Sequence, residues 1–320
     1  MNYTFSSNFK KYIEGLITQK QAIGISYIRS QKQLKIFDKF CMEHYPQEMQ
    51  LTQKIVMHWA ELRPHEHVNS LICRISPVRQ LIKYMNSIGV EAYVLSQGIS
   101  AKEIRYVPHI YTKQELKAFF AAVDQCRYNK YSPVRHLVVP VIFRVLYCCG
   151  LRASEATGLK VDDVDLETGK LTIRKSKGNK DRNVMLSEDV LNLCRIYHKK
   201  MSSIFLKHVW FFPNNRGDQY SISTLRFIFH QFWDKASVGF VSGNPPRVHD
   251  FRHTFSVNIL NQWVRENKDL NAYLPYLSMY LGHASLTETD YYLHLVPEFF
   301  PLLTARATEK YAHLIPEVEQ

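Results

Sequence analysis

Apolar residues recur at helical spacing along most of the first hundred residues. In residues 26–44, Leu34, Phe37 and Cys41 fall on one face of a helix, and residues 68–89 continue the same pattern. Apolar positions three to four residues apart bury one side of an α-helix. The first hundred residues are therefore predicted to form a helical domain.

The pattern changes near residue 96. Residues 96–111 show little periodicity and are predicted to be an interdomain linker. Thr112, with Glu115 three residues later, forms a capping box before an apolar run, which predicts the start of a new helix. Residues 133–150 are then predicted to form a buried helix that ends at Gly150.

One β-hairpin signal interrupts the helices. The segments LTIRKSK and RNVML alternate in polarity and are joined by GNKD, which is suited to a turn. Helical spacing returns from about residue 187. The expected fold class is mainly α with a small antiparallel β-sheet, divided into a helical domain over residues 1–106 and a mostly helical domain over residues 107–320.

The charge of the chain indicates a polyanionic partner. The formal net charge is +12. Residues 1–106 carry 14 Lys and Arg against 8 Asp and Glu, and residues 107–320 carry 27 against 21, so each part has a surplus of +6. A basic surface can serve solubility alone, but a surplus on both parts favours a protein that grips a nucleic acid duplex from two sides.

Three features predict a cytoplasmic protein with no membrane partner. The six cysteines form no CxxC pair and no disulfide-like framework. The N-terminal residues lack the basic-then-apolar pattern of a secretion signal. The longest apolar run, residues 137–149, is too short to span a bilayer and contains Arg144.

Four stretches carry residue types suited to phosphate chemistry. In chain order they contain Arg152 in GLRASEATGL, Lys177 in SKGNKDR, His249 and Arg252 in HDFRH, and His283, Tyr291 and Tyr292 in LGHASLTETDYYLHL. Considered alone, each has an ordinary explanation. Arg152 could form a surface ion pair, and Lys177, with Lys180 and Arg182, could belong to a solvated turn.

A zinc site is the other chemistry that the HDFRH stretch suggests. His249 and His253 stand four residues apart, as the two histidines of an HExxH zinc motif do. Asp250, however, occupies the position where that motif requires glutamate, and Arg252 would place a cation beside the metal. We therefore expect no metal and no organic cofactor.

A tyrosine becomes a nucleophile only in suitable surroundings. Its ordinary pKa is about 10, so the phenolate needs positive neighbours or a base. Attack on a phosphodiester also needs hydrogen-bond donors for the non-bridging oxygens and an acid for the leaving alkoxide. The arginines, histidines and lysine of the four stretches supply these groups, and no Walker A motif indicates ATP hydrolysis.

In order and spacing, these stretches resemble the tyrosine recombinase (phage integrase) family. The resemblance covers about residues 110–305, and the helical N-terminal part is similar in kind to the core-binding domain of that family. It implies a site-specific DNA recombinase that cuts and rejoins strands through a 3′-phosphotyrosyl intermediate. Such chemistry stores the energy of the broken bond in the protein–DNA ester and needs neither ATP nor metal.

The resemblance also implies a role for each residue. Arg152 and Arg252 would clamp the scissile phosphate, and His283 would donate a further hydrogen bond to it. Lys177 would protonate the departing 5′-oxygen. His249 would act as an acid–base partner or as a phosphate ligand.

Tyr292 is the expected nucleophile. The family's tyrosine follows Gly-His by nine residues, and a second histidine stands two residues after it, as in YLH here. Neighbouring residues on a helix point about 100° apart, so both tyrosines cannot face one phosphate, and Tyr291 is expected to pack or to touch DNA. Phe251 replaces the more usual leucine of the HxxRH box, an apolar change expected on the buried side.

Several functions stay open within and beside this resemblance. A type IB topoisomerase shares the chemistry, a DNA-binding regulator could keep the fold without catalysis, and a Xer-type resolvase of chromosome or plasmid dimers carries the same motifs. The two-domain length and the apolar tail favour recombination over a topoisomerase, and the filled catalytic positions argue against a regulator without catalysis. The N-terminal part favours an integrase or transposase of a mobile element over a dimer resolvase, which the catalytic motifs do not separate. The expected partners are double-stranded DNA with a short inverted-repeat core site and a homo-tetramer on that DNA, with accessory proteins left open.

The C-terminal tail carries an apolar patch followed by a helical pattern. The patch consists of Phe299, Phe300, Leu302 and Leu303. It is suited to docking on a neighbouring protomer or to packing on its own protomer, and the sequence leaves both open.

Overall fold

The structure, a computed structural model, describes residues 3–96, 106–174, 181–237 and 245–296. The chain divides into two compact units, Met1–Tyr106 and Val107–Gln320. Each unit has a hydrophobic core of its own. None of the helices in the described residues combines the length and the apolar composition needed to cross a membrane.

The described part of the first unit is helical. Its helices are α1 (Lys10–Ala22), α2 (Ile28–His44), α3 (Gln53–Ala60) and α4 (Val68–Ser87). Helices α1 and α2 both pack against α4, with Phe37 and Trp59 fully buried between the helices. Buried Arg74 on α4 pairs with Glu66 at 2.8 Å.

The second unit is helical with one two-stranded antiparallel sheet among its described residues. Its elements are α5 (Lys113–Asp124), α6 (Arg135–Cys149), α7 (Ala153–Thr157), β1 (Lys170–Ile173), β2 (Arg182–Met185), α8 (Glu188–Ile204), α9 (Ile222–Lys235), α10 (Asp250–Arg265), α11 (Leu270–Leu281) and α12 (Thr287–Asp290). Short 3-10 helices cover Val161–Asp163 and Leu293–Leu295. The predicted fold class is confirmed.

Two predicted boundaries of the second unit are present as expected. The Thr112 side chain accepts from the backbone N–H of Glu115, and the Glu115 carboxylate accepts from the N–H of Thr112 at 2.7 Å, which completes the capping box of α5. Helix α6 ends at Gly150 with φ of 58°, a left-handed conformation that favours glycine. A Cβ at Gly150 would also lie 2.6 Å from the Phe255 ring.

The predicted hairpin forms, and its register places Arg182 at one end. Strands β1 and β2 pair from Lys170 opposite Met185 to Ile173 opposite Arg182. Leu171, Ile173 and Val184 point into the core. Arg182 thus begins β2 beside the protein interior.

The predicted linker extends too far toward the C-terminus. Tyr111 is buried, its backbone N–H donates to Thr254 Oγ1 at 3.0 Å, and its hydroxyl donates to Arg247 O at 2.9 Å. Residues from Val107 onward belong to the second unit. The aromatic ring of Tyr111 packs on Phe251, a contact between residues 140 apart that local periodicity cannot reveal.

An aromatic core supports the start of α10. Phe251 is 1 % exposed and its ring lies among those of Tyr111, Phe119, Phe143 and Phe229. The prediction that residue 251 faces the buried side is therefore confirmed. Because Phe251 anchors this turn, the side chains on either side of it are set in fixed directions.

Candidate active site

Three guanidinium groups cover the C-terminal end of α11. The bonds run from Arg182 Nε to Tyr280 O at 2.7 Å, from Arg252 Nη2 to Leu281 O, and from Arg152 Nη2 to Gly282 O at 3.0 Å. The last carbonyls of a helix have no partner within the helix, and the helix dipole favours cations there. The end of α11 therefore gathers arginines from three separate segments just before His283.

Gly282 makes this gathering sterically feasible. It ends α11 with φ of 65°, in the left-handed region. A Cβ at this position would lie 3.1 Å from Arg182 Nη1, so a side chain here would press on the guanidinium. The Gly-His pair in the sequence thus has a physical basis in both backbone conformation and space.

Arg252 is the most deeply placed of the three arginines. It stands in the first turn of α10, is 1 % exposed, and donates from Nη1 to Gly150 O at 2.9 Å. Burial, and then the charge of Arg152, lower the pKa of Arg252 to about 10. Arg252 therefore remains positively charged at neutral pH.

Glu155 is the carboxylate that balances the arginines. Its Oε1 accepts from Arg152 Nη1 at 2.8 Å and from Arg182 Nη1 at 2.9 Å, and its Oε2 accepts from Arg182 Nη2 at 2.8 Å. Oε2 also accepts from the backbone N–H of Arg152 at 2.9 Å, at the N-terminus of α7. We call Arg152, Arg182, Arg252 and Glu155 the arginine cluster.

The place of Arg182 corrects the sequence analysis. Arg182 was expected in a solvated turn, whereas its side chain is 8 % exposed and paired with Glu155. Alternation along a strand cannot show that a charged residue faces inward, because a lone arginine at a strand end is usually solvated.

Two histidines stand next to Arg252 along α10. His249 is the N-terminal cap residue of α10, and its ring centroid lies 4.8 Å from that of His253 at an interplanar angle of 89°. The protein packed around His249, and then the charges of Arg252, Arg247 and Arg152, lower its pKa to about 4, although one edge stays exposed. Burial, and then His249 and the nearby arginines, lower the pKa of His253 to about 3.

Tyr292 lies against this histidine pair. Its hydroxyl is 3.2 Å from His253 Nδ1, and the side chains of Ser256 and Arg252 also interact with it. Tyr292 is 3 % exposed, and burial raises the pKa of its phenol, while Arg252 and Arg152 act in the opposite direction. The phenol is therefore protonated in this structure and already touches a buried cation.

His283 completes the group. Its Nδ1 lies 2.7 Å from the hydroxyl of Thr289, which is fully buried on α12. The His283 ring stacks on that of Tyr292 with centroids 6.1 Å apart. We call His249, His253, His283 and Tyr292 the tyrosine cluster, and Arg252 joins it to the arginine cluster.

Tyr291 takes a different direction from Tyr292. It is half-buried, and its ring meets that of His294 edge-on with centroids 5.5 Å apart. Its ring centroid lies 5.9 Å from that of Tyr292 at an angle of 64°. The two adjacent tyrosines therefore lie in different surroundings, as helical geometry requires.

The structure brings five of the six predicted site residues together. These are Arg152, His249, Arg252, His283 and Tyr292. Lys177 lies outside the described residues. His253, which the sequence analysis considered only as a zinc ligand, contacts the tyrosine, and its position directly after Arg252 on α10 was the only signal for this. Among the described residues, no three His, Cys, Asp or Glu side chains are placed to hold a metal ion together.

A basic cleft opens beside Arg152. It has a volume of about 460 Å³, and its lining includes Lys160, Thr172, Arg174 and Trp210. Arg174 is more than half exposed, although it pairs with Asp163 at 2.5 Å. Glu155 and Asp163 also line the cleft, and both pair with arginines, so Lys160 is left as a further cation near Arg152 that a polyanion could meet.

Comparison with known proteins agrees with this geometry. Residues 110–298, more than half of the chain, match the phage integrase family. The integrase/recombinase y4rB of Sinorhizobium fredii is 25% identical over 299 residues, which cover 91% of this chain and 94% of that protein. The tyrosine recombinase XerC of Staphylococcus carnosus is 23% identical over 300 residues, which cover 84% and 91%.

Solved structures share the fold. XerH bound to a palindromic difH substrate has a TM-score of 0.63 at 18% identity, over 95% of this chain and 85% of that one. The Tn1549 transposon integrase in complex with transposon right end DNA has a TM-score of 0.62 at 13% identity, over 88% and 94%. The chain belongs to the phage integrase family, and it is a tyrosine recombinase, an enzyme of site-specific DNA recombination.

Proposed function

We propose that Tyr292 is the nucleophile and that the arginine cluster binds the scissile phosphate. One observation carries the proposal: the Tyr292 hydroxyl lies 3.2 Å from His253, the residue that follows Arg252 on α10, and the helix end that binds Arg252 also binds Arg152. A nucleophile and two phosphate ligands are thus held within one small volume. The ring of Tyr291 instead meets that of His294 edge-on.

The arginines are suited to the charge that develops during attack. Each guanidinium has five N–H donors, and Arg252 donates two of them to the carbonyls of Gly150 and Leu281. Planar donors that are already fixed in place stabilise a five-coordinate phosphorus without reorganising during the reaction. Arg152 and Arg252 would therefore bind the non-bridging oxygens, and His283 would add a third donor.

The chemical step conserves the number of ester bonds. A bond forms between the Tyr292 oxygen and phosphorus, and the bond from phosphorus to the 5′-oxygen breaks. The phenol proton passes to a base, a role that suits neutral His249, and Lys177 gives a proton to the leaving 5′-oxygen. A 5′-hydroxyl from another strand then reverses these steps and releases the tyrosine.

The low pKa of His249 in the free protein is consistent with this role. Arg252, Arg247 and Arg152 all disfavour the imidazolium form. A bound phosphate would place a negative charge beside the same ring and raise its pKa. His249 would then accept a proton most readily when DNA is bound.

The partner and the assembly follow from the same proposal. We expect the first unit to act as a core-binding domain and the protein to act on double-stranded DNA with a short inverted-repeat core site. We expect a homo-tetramer on that DNA. We also expect that a mobile element encodes the protein, which would serve it as an integrase or transposase. The match to y4rB, an integrase/recombinase, supports the integrase part of this proposal. The apolar tail residues Phe299 to Leu303 lie outside the described residues.

The decisive experiment traps the covalent intermediate. Wild type, Tyr292→Phe and Tyr291→Phe are incubated with nicked DNA from the flanks of the protein's own gene, and SDS-resistant adducts are quantified and sequenced. We expect an adduct on Tyr292 in wild type and in Tyr291→Phe, and none in Tyr292→Phe. An adduct that persists in Tyr292→Phe and disappears in Tyr291→Phe would move the nucleophile by one residue.

Two further substrates, a random-sequence DNA pool and supercoiled plasmids, test the alternatives. Relaxation of any supercoiled plasmid by the monomer, whatever its sequence, would favour a type IB topoisomerase. Binding of a preferred site without any adduct, in all three proteins, would show a DNA-binding protein that does not cleave.

A further inference from the structure

The surroundings of the Tyr292 hydroxyl contain a residue to which the proposed mechanism gives no role. His253 Nδ1 lies 3.2 Å from this hydroxyl, which makes it the best-defined contact of the phenol oxygen. The two rings pack at a centroid distance of 5.5 Å. His253 also follows Arg252 directly in α10, so one helical turn carries two of the groups that touch the phenol.

Hydrogen-bonding capacity determines how these groups share the phenol. Arg252 can only donate. The Ser256 hydroxyl gives its hydrogen to Arg252 O at 2.9 Å, so it is not the donor to Tyr292. The Tyr292 oxygen has lone pairs that can accept from His253 when that ring carries its proton on Nδ1, the nitrogen that faces the phenol.

The position of His253 is fixed by packing and not only by this bond. The ring of His253 meets that of His249 edge-on, and its neighbours Arg252 and Thr254 are fully buried on the same helix. Helix α10 cannot rotate about its axis without displacing the Phe251 ring from the aromatic core. A donor held in this way defines where the phenol oxygen can lie relative to Arg252.

We infer that His253 is the positioning residue for the nucleophile: its Nδ1–H holds the Tyr292 oxygen beside Arg252 and stabilises the phenolate as the proton leaves. The inference rests on the proposed role of Tyr292. A neutral imidazole suits this task, and the low pKa of His253 keeps it neutral at physiological pH. A donor to an oxygen that becomes negative is worth more in the transition state than in the resting phenol.

The test compares two replacements of similar size at this position. His253→Asn keeps an N–H close to the place of Nδ1, and His253→Leu keeps the bulk without a donor. Cleavage of nicked DNA is measured in single turnover over a range of protein concentrations. We expect His253→Leu to lower the maximal rate constant by about 10²-fold, by analogy with the loss of one oxyanion donor, and His253→Asn to recover most of that loss.

The readout separates positioning from a general loss of structure. The half-saturating protein concentration, which reports DNA affinity, should be the same in both variants, because the effect falls on the chemical step. His198→Leu and His198→Asn serve as matched controls on α8, where the His198 ring packs on Phe211 outside the site. Both controls should cleave at the wild-type rate.

Two results would overturn the inference. Equal rates for His253→Leu and His253→Asn, with the wild-type adduct mapped to Tyr292, would show that the bond does not position the nucleophile while leaving the proposed function intact. An adduct mapped to Tyr291 would remove both the proposed nucleophile and the role of His253. Melting temperatures of all variants decide whether a lost rate reflects an unfolded protein.

Discussion

The arginine cluster and the tyrosine cluster are built in different ways. In the arginine cluster, each guanidinium binds at least one backbone carbonyl or the Glu155 carboxylate, and the contacts come from four separate segments. In the tyrosine cluster, Tyr292 instead lies between α12, a helix of four residues, and a 3-10 helix of three residues. Tyr292 is linked to α10 through its hydroxyl, and it belongs to a hydrophobic cluster that includes Val257 and Leu260 of that helix.

This difference matches the demands of the chemistry. Phosphate ligands work best when they are fixed before the substrate arrives, because reorganising dipoles during the reaction costs free energy. The nucleophile makes the final approach to the phosphorus, which requires only a small shift if its hydroxyl keeps the contact with His253. Short helices have low stability of their own, so the segment that carries Tyr292 can change position at a lower cost than the arginine cluster.

The largest effect is expected from Arg252, the member of the arginine cluster that adjoins the tyrosine cluster. Arg252→Ala removes a phosphate donor and a contact of Tyr292, and cleavage should fall by about 10²–10³-fold. Arg252→Lys keeps the charge, but an ammonium lacks the planar fork that reaches Gly150 O and Leu281 O together, so it should recover little of the rate. Single-turnover cleavage at saturating protein measures both.

Arg144→Ala is the matched control for Arg252. Arg144 lies in the same unit and pairs with Asp124 at 2.7 Å on the surface of α6. It should cleave at the wild-type rate with little change in stability. Wild-type cleavage by Arg252→Ala would contradict the assignment of the whole arginine cluster.

A smaller effect is expected from Glu155, which supports the arginines without touching the phosphate. Glu155→Gln replaces one accepting oxygen by an N–H₂ group that faces guanidinium donors. The free energy of unfolding should fall by about 3 kcal/mol, because buried cations lose their carboxylate. We expect cleavage to fall by about tenfold, less than for Arg252→Ala, because helix-end carbonyls still hold the arginines.

Urea unfolding measures the loss of stability of Glu155→Gln, and single-turnover cleavage tests whether its loss of rate is smaller than that of Arg252→Ala. Glu115→Gln, which weakens the capping box of α5, is the control for a carboxylate-to-amide change in the same unit. It should lose stability without losing rate. Loss of rate in Glu155→Gln equal to that of Arg252→Ala would show that the carboxylate acts on the substrate directly.

The sequence predicts some members of the two clusters but not the residues that pair with them. Arg152, Arg252, His283 and Tyr292 stand in short stretches whose order and spacing are characteristic, so the sequence predicts that they meet. Glu155 and Arg182 meet across 27 residues through the hairpin register, and Thr289 reaches His283 through a turn of α12. Such partners depend on tertiary packing, which local periodicity does not encode. Tyr111 was assigned to a linker for the same reason.

The smallest expected effect is on the pH dependence of the free energy of unfolding. The histidines of the tyrosine cluster contribute to it between pH 6.5 and 4, whereas Arg252 of the arginine cluster does not. His249 and His253 have pKa values lowered to about 4 and about 3, below the ordinary value of about 6.5. Unfolding raises these values, so the unfolded chain binds more protons between pH 6.5 and 4. The stability that the neutral histidines provide is complete above pH 6.5 and is lost as the pH falls toward 4. Arg252, with a pKa of about 10, stays charged over the whole range.

We therefore expect the double variant His249→Asn, His253→Asn to flatten the pH dependence of unfolding. The free energy of unfolding of wild type minus that of the double variant should shrink by about 1 to 2 kcal/mol between pH 7 and pH 4.5, less than the two shifts alone imply, because solvent screens the exposed side chain of His249. Taking the difference cancels groups that both proteins share, such as His198, whose pKa burial also lowers. Arg252→Lys should keep the wild-type dependence, because its histidines remain neutral. A constant difference across this range would show that neither histidine is held neutral by the fold, and the tyrosine cluster would then be less closely packed than its contacts indicate.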